Sequence, residues 1–386
     1  MPHFDPFDHA VHDNPYPIYK DLRDNDPLYR NEQHGFWIVS RYDDCVKVLR
    51  DFNTFCNKHG QTLEPTGETV PPILLLMDPP HHTRLRKVVA RVLTPEKIAH
   101  LEGDVRRLAR ELLAPFHGRG RIDIVADFSA YLPMAIIARM LRIPREHEDM
   151  MRAWTDACVH RDDGVFAMPE AGLKATMDMW NYFEELVKER RKHPYGDDLV
   201  SLVLQSEDAG DMNHAEVLGF LYLLAIAGNE TTTKLIGNMS FQLSRHPQQL
   251  RALRDDPGLI PGAVEETMRY DGPTQLQART ATRDVEMHGR TIREGDKVGI
   301  LFISANRDER HFANADQYDI RRNARDHIGF GAGVHACLGA ALARLEVKVA
   351  FEEILKMAPE FHVDESRLQR MHSPNVRGYT SVPMSF

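Results

Sequence analysis

Residues 330–339 read Phe330-Gly331-Ala332-Gly333-Val334-His335-Ala336-Cys337-Leu338-Gly339. Gly331 and Gly333 predict a tight turn in which the backbone takes positive φ or approaches another segment closely. The alanine- and leucine-rich run that follows predicts a helix whose positive end lies near the Cys337 sulfur and favours a thiolate. Gly339 leaves one side of that helix start bare. The combination is typical of an axial metal ligand, although a lone cysteine is more often a small buried hydrophobe.

The ten residues also resemble the haem-binding signature Phe-Gly-x-Gly-x-His-x-Cys-x-Gly of the cytochrome P450 haem-thiolate monooxygenases, and the match is complete. The resemblance implies a mainly α fold with a small β region, as a single cytochrome P450 domain over residues 1–386. It also implies haem b with an axial thiolate from Cys337. The loop residues expected to contact the haem are Phe330, Gly331, His335, Cys337 and Gly339.

The composition describes a soluble, globular chain. Hydrophobic residues make up 42% of the 386 residues and charged residues 27%, and the formal charge is −9 with no long run of one sign. This argues against nucleic-acid binding, which normally requires a basic face. The four cysteines form no C-x-x-C pair, which indicates a reducing compartment.

The sequence gives no reason to expect a membrane protein. Its N-terminus, Met1 to Pro6, lacks the apolar core of a signal segment, and no uncharged apolar run reaches the roughly 20 residues of a membrane span. We therefore expect a cytoplasmic protein of the soluble bacterial type.

A basic helix is predicted after Pro79-Pro80. His82 and Arg86 are four residues apart and share one helical face, where they suit a carboxylate partner. The alternative is a solvated basic face. The family resemblance implies that His82 and Arg86 bind a haem propionate, together with Arg279 and His335.

The longest apolar helix is predicted from an N-cap at Asn213 to about Arg245. It contains Gly228, Glu230 and Thr231, which are unfavourable in a buried helix and therefore indicate function. Ala227 and Gly228 leave a bare patch for a ligand. The segment resembles the family pattern in which an acid and a threonine guide protons, roles that fall to Glu230 and Thr231. Alternatively, Thr231 merely hydrogen-bonds to the helix backbone.

A weaker pattern follows in the next helix. Glu266 and Arg269 are three apart and can pair, but E-x-x-R occurs by chance in many helices. It resembles the structural E-x-x-R of the family, for which Arg322 is the third member. The stretch from Gly60 to Leu76 predicts a loop, which either covers the substrate, as the resemblance implies, or is an ordinary surface loop. The tail from Val376 to Phe386 predicts a closing hairpin.

The expected substrate is a hydrophobic small molecule, since most candidate pocket residues are apolar. Polyketide-, terpenoid-, steroid- and fatty-acid-like molecules all fit. The candidate pocket residues are Leu74, Leu223, Ile226, Ala227, Gln275, Leu276 and Val376.

The chain ends soon after the predicted hairpin, so we expect O2 as co-substrate and electrons from a separate ferredoxin and ferredoxin reductase. Lys87, Arg91 and Arg344 are candidates for docking the ferredoxin. The expected reaction is hydroxylation or epoxidation in secondary metabolism or catabolism. Two other classes stay open: a peroxide-driven peroxygenase, and a non-catalytic haem-thiolate binding or sensor protein.

Overall fold

A computed structural model describes residues 4–64, 72–91, 93–194, 196 and 198–386. Residues 65–71 of the predicted Gly60–Leu76 loop lie outside this set. The α-helices are α1 (His9–Asp13), α2 (Tyr16–Asn25), α3 (Tyr42–Arg50), α4 (His81–Ala90), α5 (Pro95–His100), α6 (Glu102–Leu113), α7 (Leu132–Leu141), α8 (Glu148–Val159), α9 (Glu170–Lys192), α10 (Leu199–Asp208), α11 (His214–Arg245), α12 (Pro247–Asp255), α13 (Ile260–Asp271), α14 (Phe302–Asn306) and α15 (Ala340–Met357).

Within the described part of the chain, four small sheets accompany the helices, as expected for a mainly α fold. The strands are β1 (Leu28–Asn31), β2 (Phe36–Val39), β3 (Phe55–Cys56), β4 (Arg121–Asp123), β5 (Leu276–Ala281), β6 (Val285–Met287), β7 (Arg290–Ile292), β8 (Lys297–Leu301), β9 (His362–Val363), β10 (Gln369–Arg370), β11 (Tyr379–Ser381) and β12 (Pro383–Ser385). The largest sheet has the order β1-β2-β8-β5-β3, with β2 and β8 parallel and the other pairs antiparallel.

Helix α11 runs through the centre of the molecule, and its bounds confirm the predicted helix. Asn213 accepts a hydrogen bond from the backbone N–H of Glu216, and the Glu216 carboxylate accepts one from the Asn213 N–H, which completes a capping box. The helix is buried on most sides and packs against α7, α8, α13 and α15. It therefore lies between the Cys337 loop, which precedes α15, and the outer helices.

The predicted closing hairpin is wrong. Strand β11 pairs with β10, whereas β12 pairs with β4 and β9 in another sheet. The intervening Val382 is fully buried, and its carbonyl accepts a hydrogen bond from Ile124 N, so the chain continues into the second sheet instead of reversing.

Within the described residues, Ile124–Leu141 is long and apolar enough to cross a membrane by length and composition alone. Of this stretch, 61% is buried inside the fold. That burial is typical of a core helix, because a lipid-facing helix would keep its apolar surface exposed.

Candidate active site

The glycine-rich loop folds back on itself before α15. Gly331 and Gly333 have φ of 75° and 70°, and a Cβ atom at Gly333 would lie 2.7 Å from Leu49 O. The Cys337 N–H donates to Phe330 O at 2.7 Å. The predicted role of the glycines is confirmed: one needs the left-handed region, and the other needs both that region and the missing side chain.

Cys337 faces an internal cavity at the start of α15. Gly339 lies at the N-cap and also lines the cavity, and nothing occupies the space within 4 Å of where its Cβ would be. Burial raises the pKa of the Cys337 thiol, and the backbone amides of Gly339 and Ala340 with the charges of Arg86 and Arg344 only partly offset this. The helix start therefore favours the thiolate, as predicted, but burial outweighs its effect on the pKa. A metal ion at the sulfur deprotonates a ligating thiol outright.

Four side chains from three segments form a donor cluster at one side of the cavity. His82 is 1% exposed, and both of its ring nitrogens lack a hydrogen-bond partner among the described residues, as does Nε2 of His335. The two rings lie 4.2 Å apart. Arg86 Nη2 donates to Ala336 O at 2.5 Å, and the buried Arg279 donates to Ala278 O.

The electrostatics of this cluster suit an anionic ligand. Burial, with repulsion from neighbouring cations, lowers the pKa of His82 to about 4 and that of His335 to about 3. Burial likewise lowers the pKa of Arg279 to about 10. Unpaired buried donors are unfavourable, and carboxylates would satisfy them. The arrangement fits the two propionates of a haem whose iron lies at Cys337.

One stripe of α11 forms the cavity wall opposite the Cys337 loop. It consists of Phe220, Leu223, Leu224, Ala227, Gly228, Thr231, Thr232 and Leu235. The members recur every three or four residues, which is the period of one helical face. A Cβ at Gly228 would lie 2.8 Å from Ile137 Cδ1, so that glycine also permits close packing of α7 against α11.

The two predicted proton-relay residues lie on different sides of α11. Thr231 lines the cavity, and its hydroxyl donates to Ala227 O at 3.1 Å, the backbone bond considered above as an alternative. Glu230 is 2% exposed, does not line the cavity, and pairs with Lys234 Nζ at 3.2 Å. Consecutive helical residues point roughly 100° apart, which prevents direct contact between them.

Glu230 shares a buried proton site with Asp156 of α8. Burial and the neighbouring Glu230 raise the pKa of Asp156. Burial alone would raise the pKa of Glu230 too, but the charge of Lys234 and a hydrogen bond from Asp156 outweigh it and the pKa is lowered. Together these effects favour the protonated form of Asp156 beside an ionised Glu230, behind the cavity wall.

Glu346 is a cavity residue that sequence reasoning missed. It lies on α15, is 1% exposed, and its Oε1 has no hydrogen-bond partner among the described residues. Burial raises its pKa to about 8, against a hydrogen bond from Thr232. The sequence could have identified it, because the apolar repeat of the predicted helix places Glu346, between Leu345 and Val347, on the buried face.

The predicted substrate residues divide into two groups. Leu74, Leu223 and Ala227 line the cavity, whereas Ile226, Gln275, Leu276 and Val376 do not. Ile226 is on another face of α11, and Leu276 packs into a separate cluster with Phe36. On this side the wall is formed instead by Pro273, Thr274 and Gln277, of which Thr274 and Gln277 are polar. Gln277 points away from Leu276 because successive side chains alternate along β5.

Gln275 and Val376 lie just behind this wall. The Gln275 side chain donates to Pro374 O, and Val376 forms an isolated bridge with Thr274. The C-terminal segment therefore supports the cavity wall and does not enter the cavity.

Glu266, Arg269 and Arg322 come together below the Cys337 loop. Arg269 and Glu266 are fully buried and form two bonds of 2.8 Å, and Arg322 Nε approaches Glu266 Oε1 at 3.3 Å. Arg269 also donates to the carbonyls of Asn306, Ala315 and Gln317, so it ties α13 to the segment before the loop.

The three predicted docking cations are not equivalent. Lys87 and Arg91 are exposed. Arg344 forms a bidentate pair with Glu265 at 2.6 and 2.8 Å, so its charge is locally neutralised. A partner would meet mainly Lys87 and Arg91.

The chain is similar to known proteins over nearly its whole length. The family model described as cytochrome P450 matches residues 258–377. A putative cytochrome P450 123 of Mycobacterium tuberculosis is 40% identical over 99% of this chain and 96% of its own. The structure of CYP109E1 from Bacillus megaterium in complex with testosterone has a TM-score of 0.91 and 30% identity, covering 97% of this chain and 98% of that one. The structure of P450BioI in complex with an acyl carrier protein ligated to hexadec-9Z-enoic acid has a TM-score of 0.89 and 30% identity, covering 98% and 100%.

Proposed function

The chain belongs to the cytochrome P450 family and is a haem-thiolate monooxygenase, and we propose that it hydroxylates or epoxidises a hydrophobic small molecule. The observation that carries the site assignment is the set of unpaired buried donors on His82 and His335 beside the Cys337 cavity. Within the proposal, Cys337 binds the iron, and His82, Arg86, Arg279 and His335 bind the propionates.

The haem with its thiolate, when bound, supplies the oxygen chemistry. The protein orients the substrate and handles protons. The stripe of α11, with Leu74, Leu75 and Ile137, offers an apolar surface that excludes water. On this wall, the Thr231 hydroxyl can both donate and accept a proton. Behind it, the proton shared by Asp156 and Glu230 forms a buried reserve.

The substrate class follows from the lining of the cavity. Leucine, isoleucine and phenylalanine dominate, and Thr274 and Gln277 provide the few hydrogen-bonding groups on the β5 side. A mainly apolar molecule with one polar group fits this surface. The testosterone complex of CYP109E1 and the fatty-acyl carrier complex of P450BioI make steroid-like and carrier-bound acyl substrates reasonable first candidates.

Electrons are proposed to come from a separate ferredoxin and its reductase in the cytoplasm, with Lys87 and Arg91 on the docking surface. The buried Asp156–Glu230 pair supports an O2-dependent reaction over a peroxide-driven one, since hydrogen peroxide brings its own protons. Product formation with peroxide alone, at a rate equal to that with ferredoxin and O2, would favour the peroxygenase.

The experiment is an optical titration of the ferric holoprotein with steroids, fatty acids and acyl carrier conjugates. We expect a saturable low-spin to high-spin change of the Soret band with one class. A haem spectrum that no compound perturbs would favour the sensor function. If the wild-type protein showed no thiolate-type haem spectrum, or if Cys337→Ser retained one, the assignment of Cys337 as the iron ligand would be overturned.

A further inference from the structure

A cluster of three histidines lies outside the cavity, where the N-terminal helix meets the C-terminal segment. His9 and His12 are one turn apart on α1, and His372 follows β10. One ring nitrogen of each lies within 4.8 Å of one ring nitrogen of the other two. His12 is buried, and His9 and His372 are half-buried, so the cluster is reachable from solvent. None of the three residues has a role in the proposed reaction.

Hydrogen bonds fix the ring tautomers of two members. His9 Nε2 lies 3.2 Å from Arg161 O, and His12 Nε2 lies 2.8 Å from Pro6 O. A carbonyl oxygen only accepts, so each Nε2 carries the proton and each Nδ1 carries a free lone pair. A backbone carbonyl on the far nitrogen is the usual support of a metal-binding histidine.

The cluster contains ring nitrogens that no described protein group satisfies. Nδ1 of His12 and Nδ1 of His372 are both buried atoms with no hydrogen-bond partner among the described residues. Unpaired buried acceptors are unfavourable and call for a ligand. Neutral imidazole is the form that ligates metal.

We propose that His9, His12 and His372 bind a divalent transition-metal ion of the zinc class through their ring nitrogens, with water as a fourth ligand. Zn²⁺ prefers four tetrahedral ligands and Zn–N distances of about 2.0–2.1 Å, which place nitrogens roughly 3.3 Å apart. The observed limit of 4.8 Å requires a small closure. The His9 and His372 rings are stacked at 3.7 Å and 6°, and they must tilt on binding because each lone pair lies in its ring plane.

The charges around the cluster permit a cation. Arg377 is the nearest buried positive charge, but it pairs with Asp271 at 3.1 Å. Asp13, next to His12, contributes a negative charge that faces His372, and its Oδ1 lies 3.8 Å from Nε of Arg370, the second positive charge near that ring. Imidazole ligands suit Zn²⁺, Cu²⁺ and Ni²⁺ and disfavour Mg²⁺ and Ca²⁺.

Such an ion would link two segments that are distant in the sequence, α1 and the segment that follows β10. The Arg161 N–H donates to His372 O, and the Gly164 N–H donates to Phe7 O, so the α8–α9 connection already joins both histidine segments. Beyond His372, Asn375 O accepts from Gln275 N, and the Arg377 N–H donates to Pro273 O, next to the cavity wall. Binding to the folded state alone stabilises that state.

The test is calorimetric titration of chelator-treated holoprotein with Zn²⁺ alone, together with its thermal unfolding temperature. We expect one saturable site that includes the histidines, and a higher unfolding temperature at 100-fold excess over Kd. The half-buried His9→Gln and His372→Gln should each weaken binding by about 10-fold or more, the range reported for losing support or ligands at metal sites. His117→Gln is the matched control, because His117 is exposed and remote in the chain.

Two outcomes would overturn the site. One is equal Zn²⁺ affinity in wild type, His9→Gln and His372→Gln, which would assign the ion to other histidines or to the cysteines. The other is no saturable binding by wild type at 100 µM Zn²⁺. The Soret spectrum of each sample reports on the haem site separately, so failure of the zinc site leaves the proposed function intact. If one variant fails to fold, the other still decides the question.

Discussion

Glu230 and Thr231 are adjacent in the sequence, yet their side chains enter different environments. Thr231 lines the cavity, and Glu230 lies behind the wall, paired with Lys234 and hydrogen-bonded by Asp156. A proton passing from one to the other must go around the α11 backbone by side-chain rotation or through water. In the proposed proton relay, the buried pair therefore acts from a distance and the hydroxyl acts at the substrate.

We expect Thr231→Ala to lower product formation by about 100-fold or more, because a positioned proton-transfer group contributes about 10²- to 10⁴-fold. The hydroxyl at the cavity is lost, but the apolar wall is kept. Substrate affinity, measured by the Soret titration, should change little. Thr231→Ser retains the hydroxyl and is the matched control. Normal turnover by Thr231→Ala would exclude the hydroxyl from the proton path.

Asp156→Asn should reduce turnover by about 10-fold or more, because an amide keeps the hydrogen bond to Glu230 but carries no transferable proton. Substrate binding should be preserved, and the solvent deuterium isotope effect on turnover should increase. Asp149→Asn, on the exposed part of α8, controls for the loss of a negative charge. Unchanged turnover and isotope effect would show that Asp156 has only a structural role.

Glu346 should make stability fall with pH. Its pKa is about 8 in the fold and 4.5 in the unfolded chain, so between these values the folded state binds a proton that the unfolded state releases. The contribution of Glu346 to the free energy of unfolding is fully present below pH 4.5. It declines by up to about 1.4 kcal/mol per pH unit between pH 4.5 and pH 8. Glu346→Gln should abolish the decline. Urea unfolding at pH 5 and pH 7.5 checks it; parallel declines in both proteins would contradict the assignment.

His82→Ala and His335→Ala should release haem about 10- to 100-fold faster, as expected from a lost hydrogen bond to a charged group of about 1.5–3 kcal/mol. The rate can be followed by haem transfer to excess apomyoglobin. His81→Ala is the control, because His81 is adjacent but pairs with Glu216 away from the donor cluster. Equal release from all three variants would place the propionates elsewhere.

Glu266→Gln should destabilise the fold by about 3–5 kcal/mol, because it leaves the buried Arg269 without its carboxylate. The exposed pair of Lys20 and Asp24 provides the comparison, where Asp24→Asn should cost no more than about 1 kcal/mol. Chemical unfolding of the holoprotein measures both. If Glu266→Gln and Asp24→Asn lowered the free energy of unfolding equally, the buried Arg269 would have found another partner by rearrangement.

Much of the site could be predicted from local sequence. The loop around Cys337 needs two left-handed backbone positions and one close approach to Leu49. Glycine meets both requirements, so Gly331 and Gly333 are recognisable in the sequence. The α11 helix is specified by its capping residues and apolar repeat. His82 and Arg86 share a helical face by their spacing alone. Such features depend on neighbouring residues, so the sequence determined them.

Other features depend on contacts between distant segments, and only the tertiary structure decided them. Gln277, and not Gln275, faces the cavity because Gln275 precedes β5 and its side chain donates to Pro374 O in the C-terminal segment, whereas Gln277 lies on β5, which pairs with β8. Asp156 meets Glu230 across two helices, and His372 meets His9 across almost the whole chain. Burial then sets the pKa of Glu346 and Cys337, since desolvation depends on every segment that packs around them.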